Sequence, residues 1–264
     1  MHPLAFVYNT WDYTLHSEAF VQGVGVPWRD VGAKGFISIE TLLHVGTLDP
    51  QLESIAAFVG GGHNASRTSP LQLAGELANA SSAALVLLQQ IRAAAASSSS
   101  HGYPAALEAE LNDVDTWAAL GSYFSLKLRA AVLVQQYRTG FAAGGGNIIA
   151  RLQQSEAVAL LRNASGQWDR VVSTTRHLKP SIPLFGMPSG GEFSWADLSQ
   201  FVERDVALAR ISATCYHELK LSCGAKKTLA LKGDKCEKCL TKKAKSIHAA
   251  GCLKADTAVW CGGS

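Results

Sequence analysis

One apolar stripe constrains this chain more than any other feature. Leu107, Leu111, Val114, Ala118, Gly121, Leu128 and Val132 recur at helical spacing, and Trp117, Leu120 and Phe124 widen the face. The stripe starts near Pro104 and lasts until Thr139 and Gly140. It predicts a long helix, central over residues 104–137, with Leu128 buried at its middle. A face that wide must be covered by further helices.

Three more helices are legible. Ser69, Pro70 and Gln72 combine an N-cap, a proline suited to the first helical position and a capping-box glutamine. Leu73, Leu77, Ala80, Ala84, Leu87 and Ile91 then form a stripe, which runs out in the alanine and serine tract before His101 and Gly102. A third helix carries Ala157, Leu160, Leu161, Ala164, Trp168, Val171 and Val172 and ends by Pro180. A fourth starts at Ser194, Trp195, Ala196 and Asp197, with Leu198, Phe201, Val202, Val206 and Ala209 inside. Four amphipathic helices joined by polar loops argue an antiparallel bundle over 61–210.

Ahead of it, residues 1–60 read as short irregular elements, the end of an upstream domain. Residues 35–40 suggest a short strand, and 50–59 a short helix. The expected class is mainly α: an antiparallel helical bundle with an irregular N-terminal segment and a small disulfide-rich helical C-terminal module.

That module, 211–264, holds all six cysteines: Cys215, Cys223, Cys236, Cys239, Cys252 and Cys261. An even number in a short stretch points to a disulfide framework and an oxidising compartment. Cys236 and Cys239 have three readings. A redox dithiol needs a βαβ context, which is missing. A zinc site needs a second close pair, although His217 and His248 could complete one. Structural half-cystines fit best, so three disulfides and no metal are expected. Cys236 and Cys239 share a helical face with Leu240, Ala244 and Ile247, so each should bridge to a different neighbour. Six cysteines permit fifteen connectivities in all, and sequence does not choose among those left.

Charge follows the same division. Residues 1–210 hold 14 basic and 17 acidic side chains, whereas 211–264 hold 10 lysines, no arginine and 4 acids. Arginine, which suits bidentate phosphate contacts, is absent from the basic tail, so a solvated lysine face is favoured over nucleic acid. Acceptor patterns for N-glycosylation occur at Asn64, Asn79 and Asn163 and, with the cysteines, favour a secreted protein. No signal peptide is visible at the start, which suggests that Met1 is not the natural N-terminus. No apolar run reads as a membrane span.

Catalytic signatures are sparse. Asp113 with Asp115, Glu108 with Glu110, and Glu203 with Asp205 are paired carboxylates. Residues two apart on a helix diverge by about 200°, so the members of a pair cannot meet at one substrate oxygen. Solvation, or pairing with Arg129 or Arg204, is the expected fate. Gly144–Gly146 lacks the lysine and hydroxyl of a phosphate loop. Two clusters suit a sugar or anion. Trp11, Asp12, Tyr13, His16 and Glu18 mix aromatic faces with polar groups. His63, Asn64 and Arg67 sit in a glycine-rich loop before a helix N-terminus. No catalytic residue and no cofactor is assigned.

Several phrases carry a resemblance: 11–20 (WDYTLHSEAF), 36–43 (FISIETLL), 48–50 (LDP), 68–74 (TSPLQLA), 113–124 (DVDTWAALGSYF), 127–130 (KLRA), 193–195 (FSW) and 202–206 (VERDV). Together they resemble the C-terminal helical region of large secreted proteins related to glycoside hydrolases, particularly α-glucuronidase-like ones. The resemblance implies that an α/β catalytic barrel precedes this region and holds the catalytic acids. It implies an accessory role for this chain, with the upstream catalytic domain and a polysaccharide as partners. The cysteine-rich end departs from that pattern and resembles small six-cysteine modules appended to secreted proteins of microbial eukaryotes. A secreted glycan- or anionic-polymer-binding module without catalysis is the alternative.

Overall fold

The computed structural model describes residues 38–44, 51–62, 64–98, 105–142, 148–176, 195–224 and 234–261. Ten α-helices follow one another among them: α1 Ile39–His44, α2 Ile55–Val59, α3 Pro70–Ser98, α4 Ala105–Ala142, α5 Ile148–Thr175, α6 Ser199–Arg210, α7 Ala213–Cys223, α8 Asp234–Lys242, α9 Ala244–Ala249 and α10 Lys254–Cys261. A short 3₁₀ turn, Trp195–Leu198, leads into α6.

Helix α4 is the axis. It packs against α3, α5, α1, α2 and α7, and α5 also packs against α6. Cross-contacts show that neighbours run antiparallel. Along α3 and α4, Ala74 meets Ser125 while Arg92 meets Asp115. Along α4 and α5, Asp115 meets Arg170 while Gln136 meets Gln153. Along α5 and α6, Ser165 meets Glu203 while Gln154 meets Ala209.

An aromatic cluster lies within the aliphatic core of the bundle. The Tyr123 and Trp168 rings lie 5.0 Å apart, Trp168 and Trp195 lie 5.6 Å apart, and the Trp168 indole donates to the Trp195 carbonyl at 3.3 Å. The expected faces of α5 and α6 are the observed ones, with Ala157, Leu161, Ala164, Trp168 and Val171 buried on α5 and Val202, Val206 and Ala209 on α6. On α4, Leu111, Ala118, Leu120, Phe124, Leu128 and Val132 are buried, but Val114 is exposed.

Helix α3 corrects its predicted face. Leu87 and Ile91 are exposed, as are Leu71 and Val86. Beyond Pro70 at its start, the buried positions are Ala74, Ser81 and Leu88, seven residues apart. Small residues win this interface because the backbones approach closely. A Cβ on Gly121 would stand 2.4 Å from Ser81 Oγ, and Ser125 Oγ donates to the Ala74 carbonyl at 2.6 Å. Large side chains at Leu87 and Ile91 would not fit that approach. The helix also runs on through Ala93–Ala96 to Ser98, because alanine is the best helix former. By length and composition alone, α3 is apolar enough to cross a membrane, contrary to the sequence expectation; in the fold it lies along α4.

Other boundaries shift for local reasons. Ile39 and Glu40, expected in a strand, open helix α1, because Asp205 Oδ1 accepts from the Ile39 N–H at 2.8 Å and caps the helix from a distance. Ser54 caps α2 through the Ala57 N–H. Ser69 Oγ accepts from the Gln72 N–H, but the Gln72 side chain turns to Glu76, so only half of the capping box forms. Trp195, Ala196 and Asp197, expected to open the fourth helix, form the 3₁₀ turn, and α6 begins at Ser199; Ser194 lies outside the described residues.

At the C-terminal end, α7 to α10 are stapled by Cys215–Cys252, Cys223–Cys239 and Cys236–Cys261. Cys236 and Cys239 thus bridge to different segments. Gly251, at φ +76°, stops α9 in a conformation that favours glycine. Arg204 of α6 donates to the Val259 and Trp260 carbonyls and fastens α10 to the bundle.

Leu128 is fully buried at the middle of α4. Its replacement by alanine is expected to cost about 2–5 kcal/mol, read from urea denaturation. A loss below about 0.5 kcal/mol would mean that another face of α4 is buried. Reduction of the disulfides is expected to release α8 and α9, whose small apolar area cannot hold them alone. Helices α7 and α10 should stay, because Tyr216, Leu219 and Trp260 are packed in the common core and Arg204 holds the end of α10. Hydrogen exchange before and after reduction would show whether protection is lost in that order.

Candidate functional site

Charged groups in the middle of the bundle form its most distinctive chemistry. On α4 the positions Tyr123, Lys127, Ala131, Val134 and Arg138 follow one another at helical spacing, and all are buried. Two of them carry full charges in the core register. On α6, Asp205 takes the same kind of position between Val202 and Ala209.

Lys127 Nζ lies 2.8 Å from Asp205 Oδ2 and donates to the Tyr123 hydroxyl at 2.9 Å. The other Asp205 oxygen caps α1 at Ile39. Eleven residues along α4, Arg138 Nη1 lies 2.6 Å from Glu40 Oε1, and Nη2 donates to the Leu208 carbonyl at 3.2 Å. The Arg138 guanidinium lies over the Tyr216 ring, 3.6 Å from its centre, and the Tyr216 hydroxyl donates to Glu40 Oε2 at 3.2 Å. Tyr137 points its hydroxyl at the Ala209 and Ile211 carbonyls, where α6 ends. Glu40, Lys127, Arg138 and Asp205 are each at most 2 % exposed.

Burial shapes their titration. It lowers the Lys127 pKa and raises that of Asp205, while the attraction between the two partly opposes each shift. Burial also works against charge on Arg138, but Glu40 and the two tyrosines outweigh it and leave the guanidinium more firmly protonated. Tyr123 is pushed up by burial and then by Asp205, and Tyr216 by burial and then by Glu40. Both hydroxyls stay neutral; Tyr216 donates to Glu40, and Tyr123 accepts from Lys127. The arrangement binds helices to one another, and its carboxylates are spent on an amide, a lysine, an arginine and a tyrosine.

The paired carboxylates separate as their helical spacing requires. Asp115 is buried and takes Arg170 at 2.6 Å and Arg92 at 3.4 Å, rather than Arg129. Glu108 reaches Arg92 at 3.8 Å. Asp205 pairs with Lys127 rather than Arg204, while Glu203 accepts from Ser165. Both expected arginine partners fail because Arg129 faces outward on α4 and Arg204 is turned to the α10 carbonyls.

Of the residues proposed for sugar or anion binding, Trp11, Asp12, Tyr13, His16, Glu18 and His63 lie outside the described residues. Asn64 and Arg67 are exposed in the loop before α3. That loop is built by its own hydrogen bonds: Asn64 N–H to Glu53 Oε1 at 3.0 Å, Arg67 N–H to the Asn64 carbonyl at 2.9 Å, and the exchange of Leu52 with Thr68 in a short parallel bridge. Asn79 and Asn163 are exposed on α3 and α5. All six cysteines are bonded to one another, and His217 Nε2 is engaged with the Arg138 carbonyl. An open depression of about 440 Å³ lies on α8, lined by Glu237, Lys238, Thr241 and Lys242.

No protein-family model, curated protein or solved structure matches this chain.

Replacing Lys127 by methionine is expected to cost about 3–5 kcal/mol at neutral pH, because Asp205 is left charged and buried. Its carboxyl then rises further above its unfolded pKa of about 3.9. Such a group adds stability when protonated, and that stability is lost as pH rises through the folded value. The deficit against the parent should therefore shrink from pH 7 to about pH 5 in urea denaturation. An equal deficit at both would show that Asp205 does not carry the buried charge.

Proposed function

We propose that this chain is the accessory helical region of a secreted carbohydrate-active protein of the glycoside hydrolase kind, bracing a catalytic barrel that lies outside these 264 residues. The observation that carries this reading is the joint at α1. The phrases that resemble α-glucuronidase-like proteins contain Ile39 and Glu40, Tyr123, Lys127 and Asp205. Those residues meet in the buried network that clamps α1 to α4 and α6. Helix α1 is held by one ion pair, Arg138–Glu40, and by the hydrogen bond from the Ile39 N–H to Asp205, rather than by a free hinge. The exposed apolar side of α3, with Val86, Leu87 and Ile91, offers a further surface for a large neighbour. Secretion is supported by the three disulfides, which persist in oxidising compartments. Trp11 and Tyr13 are proposed to line one side of the sugar cleft.

A second reading, a module for a glycan or anionic polymer, has one observation in its favour. Lys235, Lys238 and Lys242 are exposed at helical spacing on α8, beside the open depression. One set of measurements separates the two readings. The chain alone is offered glucuronoxylan oligosaccharides and aryl glycosides, and the reading frame upstream of Met1 is sequenced. The accessory reading expects no turnover and an upstream frame encoding repeated βα units. Robust turnover by the chain alone would overturn it. Binding of acidic glucuronoxylan that weakens steeply with salt, without an upstream barrel, would favour the lysine face.

A further inference from the structure

We infer that Asn64 is the residue of this chain that carries an N-linked glycan, and that Asn79 and Asn163 do not. The inference rests on the secreted reading, since the donor is found only along that route. All three asparagines are exposed and all three are followed at the second position by serine, so sequence does not distinguish them. Geometry does.

Transfer needs the asparagine amide nitrogen as nucleophile, with the serine hydroxyl close to the same amide. At Asn64 the chain turns back on itself. The Ser66 N–H donates to Asn64 Oδ1 at 3.0 Å and the Ser66 hydroxyl donates to the same oxygen at 2.7 Å. Both bonds fold the serine onto the asparagine side chain, and the asparagine stays exposed at the surface of the loop. The turn is anchored from behind, because the Asn64 N–H is held by Glu53, itself buried, and Glu53 N–H by the Thr68 carbonyl. A sequon on an exposed, anchored loop is open to a transferase before and after folding.

The other two sequons lie inside long helices, α3 and α5. Side chains two apart on a helix diverge by about 200°, so neither hydroxyl comes near its asparagine. Ser81 is buried against Gly121 of α4, and the Ser165 hydroxyl donates to Glu203 of α6. Alanine-rich α3 has high local helix propensity, which shortens the time its sequon spends extended.

The co-reactant is an oligosaccharide linked to a lipid pyrophosphate. The bond between sugar C1 and the pyrophosphate oxygen breaks, and the electron pair leaves with the lipid pyrophosphate. The bond between C1 and Asn64 Nδ2 forms, and one amide proton passes to a base on the transferase.

The full chain, placed behind a cleavable secretion leader, is translated with endoplasmic-reticulum microsomes. Glycans are then removed enzymatically in heavy-oxygen water, which marks each occupied asparagine in peptide mass spectra. The expected result is a mass shift of one glycan, with the mark at Asn64. N64Q and S66A should lose the shift, S66T should keep it, and N79Q and N163Q should leave it unchanged. A shift retained in N64Q, a dominant mark at Asn79 or Asn163, or no glycan at all would overturn the assignment. Because the leader imposes translocation, each of these results bears on Asn64 and leaves the native chain's secretion to be tested by its localisation.

Discussion

The Lys127–Asp205 pair and its neighbour Arg138–Glu40 hold the structure together where it has no apolar choice. Each group sits in the core register of its helix, and each is almost wholly removed from water. Two charges in such a place are tolerable only with close geometry and with their remaining lone pairs and protons occupied. Here most are occupied, by the Ile39 amide, the Tyr123 hydroxyl, the Leu208 carbonyl and the Tyr216 hydroxyl, while the buried Arg138 Nε makes no hydrogen bond. The consequence is specificity of docking. An apolar patch would let the six-residue α1 slide, whereas Asp205 fixes its N-terminus and Glu40 fixes its rotation.

The same network links bundle and cysteine-rich end. Tyr216 belongs to α7, yet its ring carries the Arg138 guanidinium and its hydroxyl completes Glu40. Behind it the Trp260 ring meets Tyr216 edge-on at 5.7 Å. Disulfides then fasten α8–α10 to α7, and Arg204 ties the end of α10 back to α6. Covalent staples substitute for apolar area in the small helices, while α7 shares the main core.

Helices α3 and α4 illustrate a second constraint. Their contact is set by Ala74, Ser81, Gly121 and Ser125, residues with little apolar surface. Dispersion between closely spaced backbones replaces interdigitated leucines. This leaves the larger residues of α3 on its outer side, where an apolar strip faces away from the bundle.

By itself the sequence determined the helical class, the long central α4, the buried faces of α5 and α6, and the confinement of cross-links to the last 50 or so residues. These follow from local periodicity and from cysteine spacing, which need no knowledge of neighbours. The buried charges were not legible: in the sequence Asp205 reads as a solvated or Arg204-paired carboxylate, and nothing local sets Lys127 and Arg138 apart from surface cations. Asp205 and Ile39 are 166 residues apart, and Tyr216 and Glu40 are 176 apart. Only the tertiary structure decided these pairings, the connectivity of the disulfides, the inner face of α3 and the helical fate of Ile39 and Glu40. The sequons were legible as strings, yet their difference lies in whether serine turns back onto asparagine or is held by another helix. Each of these depends on distances between remote segments, and a side chain in a folded protein answers to the groups around it more than to its place in the chain.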